Sequence, residues 1–353
     1  MRIAIIGGGI AGVSAAAALS PHGEVVLLEA EDALGYHASG RSAASFVEDY
    51  GNEVVRTLNR ATRPGLEERG VLGPRGLMLI ALAEEDTLFA ESVEDMGIYE
   101  ISVDEARAKV PIISGDIRRA AFTHEVMDID TDLLMQGCVK EARAHGAEVR
   151  KNAKVSALTR GSCWKISVGS DEIEADIVVN AAGAWADEIA RMAGIAPIGL
   201  VPYRRSVARM PVPGGHDARA WPMIFGPGES WYAKADAGGW IVSPAEEDRM
   251  EPMDAWADDM VLAEGMARYE PYVSEPVTRV DANWAGLRTF ATDRTLVIGE
   301  ATDASGFFWL AGQGGYGFQT SLGAAQVLAH HVVGSDAGIE PEMVAALHPK
   351  RFE

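Results

Sequence analysis

The stretch Arg2-Ile3-Ala4-Ile5-Ile6-Gly7-Gly8-Gly9-Ile10-Ala11-Gly12 decides the fold. Residues 2–6 form a short, apolar, β-branched run, which reads as a parallel strand buried on both faces. The glycines break that run, and an alanine-rich helix follows from about Ile10 to Leu19. Beyond Gly23, Glu24-Val25-Val26-Leu27-Leu28-Glu29 reads as a second strand that ends on an acid. Strand, G-x-G-x-x-G at 7, 9 and 12, helix, strand and acid together make a dinucleotide-binding Rossmann unit, with Glu29 about twenty residues beyond the first glycine. Gly7 permits the tight turn, Gly9 lets backbone approach a pyrophosphate, and Gly12 lets the helix pack on the strand. The helix N-terminus offers free N–H groups and the positive end of its dipole to phosphate. Glu29 can accept from ribose hydroxyls and would repel a 2′-phosphate, which disfavours NADP. Arg2, the apolar run and Ala15-Ala16-Ala17 imitate a signal peptide, but three consecutive glycines would break its helix.

The next segment separates FAD from NAD. An NAD dehydrogenase usually continues with another βα unit, whereas here Gly35-Tyr36-His37-Ala38-Ser39-Gly40-Arg41-Ser42-Ala43-Ala44 follows. A small-residue loop with one cation suits a pyrophosphate and an isoalloxazine ring. Further on, the apolar run Ile177-Val178-Val179 enters Asn180-Ala181-Ala182-Gly183-Ala184-Trp185. That turn either brings backbone to the cofactor a second time or is an ordinary strand–helix connection. Gly306-Phe307-Phe308-Trp309-Leu310-Ala311-Gly312-Gln313-Gly314-Gly315-Tyr316-Gly317 reads as a strand and a Gly-rich turn, with a helix from about Phe318 to Val332. A helix N-terminus there would stabilise negative charge on a reduced ring.

Between these segments, Asn52–Glu68 and Glu84–Asp95 read as helices and Leu77–Leu82 as a strand. Ser102 to Glu105 forms a capping box. The carboxylates Asp128, Asp130 and Asp132 read as caps of a helix reaching His145, because no further ligands follow at metal-loop spacing. Residues 148–155 and 162–168 read as strands. Residues 203–290 are rich in Trp, Tyr and Pro, with a hairpin from Trp231–Lys234 to Gly239–Val242 across residues 235–238.

The whole chain of 353 residues, 48% hydrophobic, is long enough for two domains or one large composite. Its 31 basic and 52 acidic residues give a net charge of −21, which argues against nucleic acid and anionic lipid as partners. Cys138 and Cys163 make no disulfide framework, and the eight histidines show no metal-type clustering. With no apolar run of about 18 residues, no transmembrane segment is expected, and the chain reads as cytoplasmic.

With these segments in order, the chain resembles, nearly end to end, the flavin-dependent D-amino-acid oxidase and dehydrogenase family, which also holds glycine and sarcosine oxidases. The resemblance rests on the G-x-G-x-x-G with Glu29, Gly40-Arg41-Ser42-Ala43-Ala44, the 180–185 turn, Trp284-Ala285-Gly286-Leu287-Arg288 and Gln313-Gly314-Gly315-Tyr316-Gly317. Within the family it resembles bacterial D-arginine dehydrogenase. The resemblance implies an α/β fold, with a Rossmann-type FAD-binding domain from residues 1–75, 134–203 and 286–353. An antiparallel-sheet α+β substrate domain would comprise residues 76–133 and 204–285. It implies non-covalent FAD held by Gly7, Gly9, Ile10, Ala11, Gly12, Glu29, Ala30, Arg41, Ser42, Ala43, Ala44, Val155, Ala182, Gly183, Trp185, Gly286, Gly314, Gly315, Tyr316, Gly317 and Gln319.

The resemblance also implies that Arg205, in Arg204-Arg205-Ser206, and Arg288 bind a substrate carboxylate, a task suited to the guanidinium fork. By the same likeness Tyr50 and Tyr232 line the substrate pocket, the Gly315 carbonyl receives the substrate amine, and Met223 and Phe225 are apolar walls. Three positions depart from the arginine-using relative. Leu77 stands where that enzyme has a glutamate for its cationic substrate side chain, Ser45 replaces a histidine, and Phe46 replaces a tyrosine. Burying an unpaired cation costs on the order of 2–5 kcal/mol, so a neutral, apolar substrate side chain is expected. The implied enzyme is an FAD-dependent oxidoreductase that deaminates D-amino acids by hydride transfer from Cα to flavin N5. The imino acid then becomes a 2-oxo acid and ammonia. Oxygen, a quinone and a soluble carrier are all open as electron acceptors. The alternatives are a glycine- or sarcosine-type amine oxidase, an NAD-linked dehydrogenase and a non-catalytic flavin-binding subunit.

Overall fold

The opening stretch forms β1 (Arg2–Ile6), α1 (Ile10–Leu19) and β2 (Glu24–Leu28) in a computed structural model that describes all 353 residues. β1 is central. It pairs in parallel with β2 and with the strand Ile177–Asn180, so that Ile5 faces Leu27 on one side and Val179 on the other. The six-stranded sheet runs in the order 297–300, 307–311, 177–180, β1, β2, 148–150, and only its first strand is antiparallel to its neighbour. Successive side chains of β1 point to opposite faces. Ile3 and Ile5 join α1 and the helices Thr131–Ala144 and Ser321–Val333 in one core. Ala4 and Ile6 join Trp164, Ile166 and Trp309 in another, under the antiparallel strands 155–160, 164–168 and 171–175. Both faces are covered, as the continuous apolar run of β1 requires.

A nine-stranded, mostly antiparallel sheet takes its strands from residues 77–123 and 201–290. Its longest pair is Val201–Met210 against Ala282–Phe290. The hairpin expected across residues 235–238 is tighter than that. Asp236 pairs with Gly239, and the turn is Ala237-Gly238 with φ of 44° and 79°. Two left-handed residues suit the twist of a two-residue hairpin. The helix expected from Phe318 begins at Ser321, because residues 316–320 close a separate turn in which Thr320 N–H donates to the Tyr316 carbonyl. Of the three carboxylates read as caps, only Asp130 caps, accepting from Leu133 N at 2.9 Å. Asp132 accepts from Gln136, and Asp128 is held in ion pairs with Arg75 and Lys234. No helix is long and apolar enough to cross a membrane.

Candidate active site

A cavity of about 760 Å³ is lined by residues of both sheets. Its first end is the phosphate loop. Gly7, at φ +108°, packs so tightly that a β-carbon there would lie 2.4 Å from the Ala181 carbonyl oxygen, and one at Gly12 would lie 1.8 Å from that of Gly7. Only glycine allows this approach of turn, helix and strand. Ile10 N–H donates to Ser39 Oγ at 3.0 Å, while the N–H groups of Gly9 and Ala11 have no protein acceptor. Glu29 accepts from Gly8 N at 2.6 Å and Glu31 N at 2.9 Å, which fixes its carboxylate at the end of β2. The Gln319 amide oxygen accepts from Val47 N at 3.3 Å, and its Nε2 is buried without a partner. Free helix-terminal N–H groups and an orphaned amide donor fit a pyrophosphate and a polar heteroaromatic ring.

Ala30, Ser42, Ala43, Ala44, Val155, Ala182, Gly183, Trp185, Gly286, Gly314 and Gly317 line the same cavity. Arg41 lines it too, but its guanidinium is turned to Asp254 at 2.5 Å and to the carbonyls of Ala255 and Ala285. It ties the loop to the substrate-side strands and leaves the phosphate end without its charge. Gly12, Tyr316 and Phe46 lie outside the lining. Gly12 is spent on helix–strand packing, Tyr316 stands edge-on to Tyr50 with ring centroids 5.4 Å apart, and Phe46 is core at 1% exposure.

The second end is built on the long strand pair. Arg205 pairs with Gly286 and Tyr203 with Arg288, so the two arginines are diagonal neighbours on one face. Arg204, one residue off, faces the other way and pairs with Asp248 at 2.7 Å. Glu247 gathers the first two: Arg288 Nη1 donates to its Oε1 at 3.1 Å and Arg205 Nη2 lies 3.5 Å from the same oxygen. Arg294 reaches Oε2 at 2.5 Å. Burial, and then the like charge of Arg288, lowers the pKa of Arg205. Burial works against the Arg288 charge as well, yet Tyr50 and Glu247 hold its pKa above the ordinary value. A β-carbon at Gly315 would lie 2.2 Å from Arg288 Nη2 and 2.5 Å from Nε. The Nε–Nη2 edge of Arg288 thus faces Gly315, while Nη1 is spent on Glu247. That edge is the one that grips a carboxylate with two parallel hydrogen bonds.

Tyr50 Oη accepts from Arg288 Nη2 at 3.4 Å and donates to Glu229 at 3.1 Å. Burial, then the Glu229 charge, pushes the phenol up to about 12, so it stays a donor at neutral pH. Leu77 pairs with Met223 and Phe225 with Tyr232, which sets all four on one face of the sheet as the cavity wall. Ser45 Oγ lies 3.4 Å from Met223 Sδ. Lys234, two residues from Tyr232 and buried, donates to the Ala43 carbonyl at 2.8 Å and to Asp128 at 2.5 Å, pinning the loop that borders the cavity. Burial lowers its pKa.

Sequence reasoning missed Glu229, Glu247 and Lys234. Period-two spacing from Tyr232 was signal enough for Lys234. Glu229 lies in a turn and Glu247 in the irregular segment between two strands, and neither carries such a signal.

The family model described as DAO, FAD dependent oxidoreductase, matches residues 2–331. The chain is 25% identical over 205 residues to FAD-dependent oxidoreductase domain-containing protein 1 of Xenopus laevis, covering 53% of this chain and 40% of that protein. It is 29% identical over 122 residues to glycine oxidase of Bacillus subtilis, covering 34% and 33%. These matches span less than half the length of either relative. Among solved structures, L-proline dehydrogenase from P. horikoshii superposes with a TM-score of 0.81 at 22% identity, over 99% of this chain and 97% of that one.

Proposed function

The chain belongs to the DAO family of FAD-dependent oxidoreductases, and from that membership we propose that it oxidises the α-amine of D-amino acids with neutral, apolar side chains, whose imino acids hydrolyse to 2-oxo acids and ammonia. FAD is the cofactor, and when bound it supplies the two-electron acceptor for the substrate Cα–H bond. We assign its pyrophosphate to the Gly7–Gly12 loop, its ribose to Glu29 and its ring to the neighbourhood of Ala43, Gly286 and Gln319. In this reading residues 1–75, 134–203 and 286–353 hold the cofactor, and the remainder shapes the substrate pocket.

The single observation that carries the proposal is the arginine pair lining the cofactor cavity, with the Arg288 edge against Gly315. Arg288 presents its Nε–Nη2 edge to the substrate carboxylate, and Arg205 adds a second positive charge. With the carboxylate fixed, the Gly315 carbonyl accepts from the amine, so two anchors hold Cα in one orientation, which is catalysis by positioning. Leu77, Met223, Phe225 and Tyr232 exclude water from the side chain and offer it apolar surface. A guanidinium side chain beside Leu77 would go unpaired, at a cost of about 2–5 kcal/mol. The D configuration and this side-chain class rest on the likeness to D-amino-acid dehydrogenases and on the departure at Leu77.

Anaerobic bleaching of the bound flavin by a panel of D-amino acids, L-amino acids, sarcosine and 2-hydroxy acids tests the reading. Bleaching by D-leucine, D-methionine or D-phenylalanine is expected to outpace bleaching by D-arginine, and the reverse order would sink it. The match to glycine oxidase favours one second reading, a small-amine oxidase. Turnover of glycine or sarcosine without turnover of larger D-amino acids would select it.

A further inference from the structure

Four carboxylates line the cavity: Glu29, Glu31, Glu188 and Glu229. Glu29 and Glu31 stand at the end of β2, and Glu188 stands on the helix Ala186–Met192 beyond the 180–185 turn. Glu229 alone stands beside the arginine pair. It closes the turn Pro227-Gly228-Glu229, which joins the wall strands Met223–Phe225 and Tyr232–Asp236.

Two features of Glu229 call for an explanation. Its φ is +54°, directly after Gly228 at +64°, so a residue with a β-carbon occupies the left-handed region. The turn is held there from outside, by Ser92 Oγ accepting from Gly228 N at 3.0 Å and by Arg268 Nε donating to the Ser230 carbonyl at 3.3 Å. The carboxylate so placed has no cation partner. Its one hydrogen bond is from Tyr50 Oη to Oε2, at 3.1 Å. Strained backbone that persists because its surroundings hold it is a mark of functional sites.

Tyr50 Oη bridges opposite charges, with Arg288 Nη2 at 3.4 Å on one side and Glu229 on the other. A positive and a negative pole therefore stand two hydrogen bonds apart across one hydroxyl, in a cavity whose wall includes Leu77, Met223 and Phe225. That is the charge pattern of a short zwitterion in reverse. We propose that Glu229, oriented by Tyr50, is the seat of the substrate's α-ammonium group, so that the cavity selects α-amino acids as zwitterions over plain carboxylic acids and over ω-amino acids. The inference rests on the amino-acid reading of the cavity given above. It adds a second acceptor for the amine beside the Gly315 carbonyl. It also accounts for an acidic side chain in a pocket that has lost the acid at Leu77: this carboxylate serves the α-amine and leaves the side-chain pocket apolar.

The test uses the FAD-loaded protein and ligand binding without turnover. 2-Aminoisobutyrate has no Cα hydrogen and cannot be oxidised, and pivalate replaces its ammonium with a methyl group. Each is titrated while the flavin absorbance is followed. Wild-type protein is expected to bind 2-aminoisobutyrate at least about tenfold more tightly than pivalate, as one charge-assisted hydrogen bond allows. Glu229→Gln should cut that preference by about tenfold and leave FAD content unchanged. A preference that survives undiminished in Glu229→Gln overturns the proposal. If that variant fails to fold, the wild-type pH dependence decides. The preference must fade as the amine deprotonates above its pKa, and a pH-independent ratio overturns the proposal. Equal binding of both ligands by wild type removes the ammonium seat alone, whereas no binding of either removes the amino-acid reading with it.

Discussion

Gly315→Ala perturbs the arginine clamp through one methyl group. The position has an ordinary φ, so alanine is sterically allowed by its own backbone. The obstacle is the neighbour: the new β-carbon would lie 2.2 Å from Arg288 Nη2, 2.5 Å from Nε and 2.7 Å from Cζ. Non-bonded carbon and nitrogen atoms sit at about 3.5 Å, so the guanidinium must retreat by about 1 Å or rotate away. A 1 Å misplacement in a positioning site costs about 100-fold in rate, and the retreat also stretches the contact to Tyr50 that now spans 3.4 Å. The expected outcome is a loss of about 100-fold in kcat/KM on the best amino-acid substrate. FAD content should stay near wild type, because the phosphate loop is untouched. The assay is steady-state kinetics beside flavin absorbance and thermal melting of the same preparation. Wild-type kcat/KM in Gly315→Ala would falsify the claim that the Arg288 edge facing Gly315 holds the substrate. A lower Tm with lost FAD would relocate the role of Gly315 to the cofactor.

Three further expectations follow from the same geometry. Arg288→Met should lower kcat/KM by about 100-fold or more, the cost of one partner of a desolvated charge pair, with KM raised; unchanged kcat/KM would remove Arg288 from the site. Leu77→Glu restores an acid on the pocket wall, so the ratio of kcat/KM for D-arginine over D-leucine should rise by about tenfold, on the scale of one charge-assisted bond; an unmoved ratio would place Leu77 away from the substrate side chain. Burial, then the charges of His348 and His330, lowers the pKa of His331 to about 4. The unfolded chain, with a histidine near 6.5, binds the proton better, so this contribution to stability is complete above about 6.5 and is lost as pH falls toward about 4. Denaturant unfolding between pH 7 and pH 4 should show a slope that His331→Gln flattens, and an identical slope in that variant would assign the acid sensitivity elsewhere.

What could be read from the chain followed the range of the signal. β1, α1 and β2 announce themselves within thirty residues because turn, helix and strand each need their residues locally, and Glu29 sits where the second strand ends. The arginines were legible only as motifs. What makes them a pair is the register of Val201–Met210 against Ala282–Phe290, which sets Arg205 and Arg288 on one face and Arg204 on the other. Strand pairing across some eighty residues leaves no periodic trace. Phe46 and Tyr316 adjoin lining residues in sequence, yet they point into the core, because neighbours along a strand or turn face opposite ways. Asp128 looked like part of a helix cap because Asp130 is one, but it ends in ion pairs with Arg75 and Lys234 that only the folded sheets bring together. Glu229 was hidden for a different reason: a left-handed glutamate contradicts local preference, and local preference is what a sequence reading uses.

The charges at the two ends of the site then make one arrangement. Glu247 stands outside the arginine pair and offsets their mutual repulsion, so two guanidiniums can be held buried and close without a ligand. Tyr50 carries the link inward to Glu229. The rest of the molecule, at a net −21, repels anions in its surroundings through the summed field of its surface. A plain carboxylate must climb that field to reach Arg288, and a dianionic amino acid must climb further. A zwitterion carries no net charge and approaches without that penalty, then separates its charges between Arg288 and Glu229. Raising the salt concentration shortens the reach of the field to about 3 Å at 1 M. On the proposed reading it should therefore narrow the advantage of 2-aminoisobutyrate over pivalate from the anion's side, by strengthening pivalate binding. Salt that leaves pivalate binding unchanged would confine the discrimination to Glu229 and remove the surface from the account.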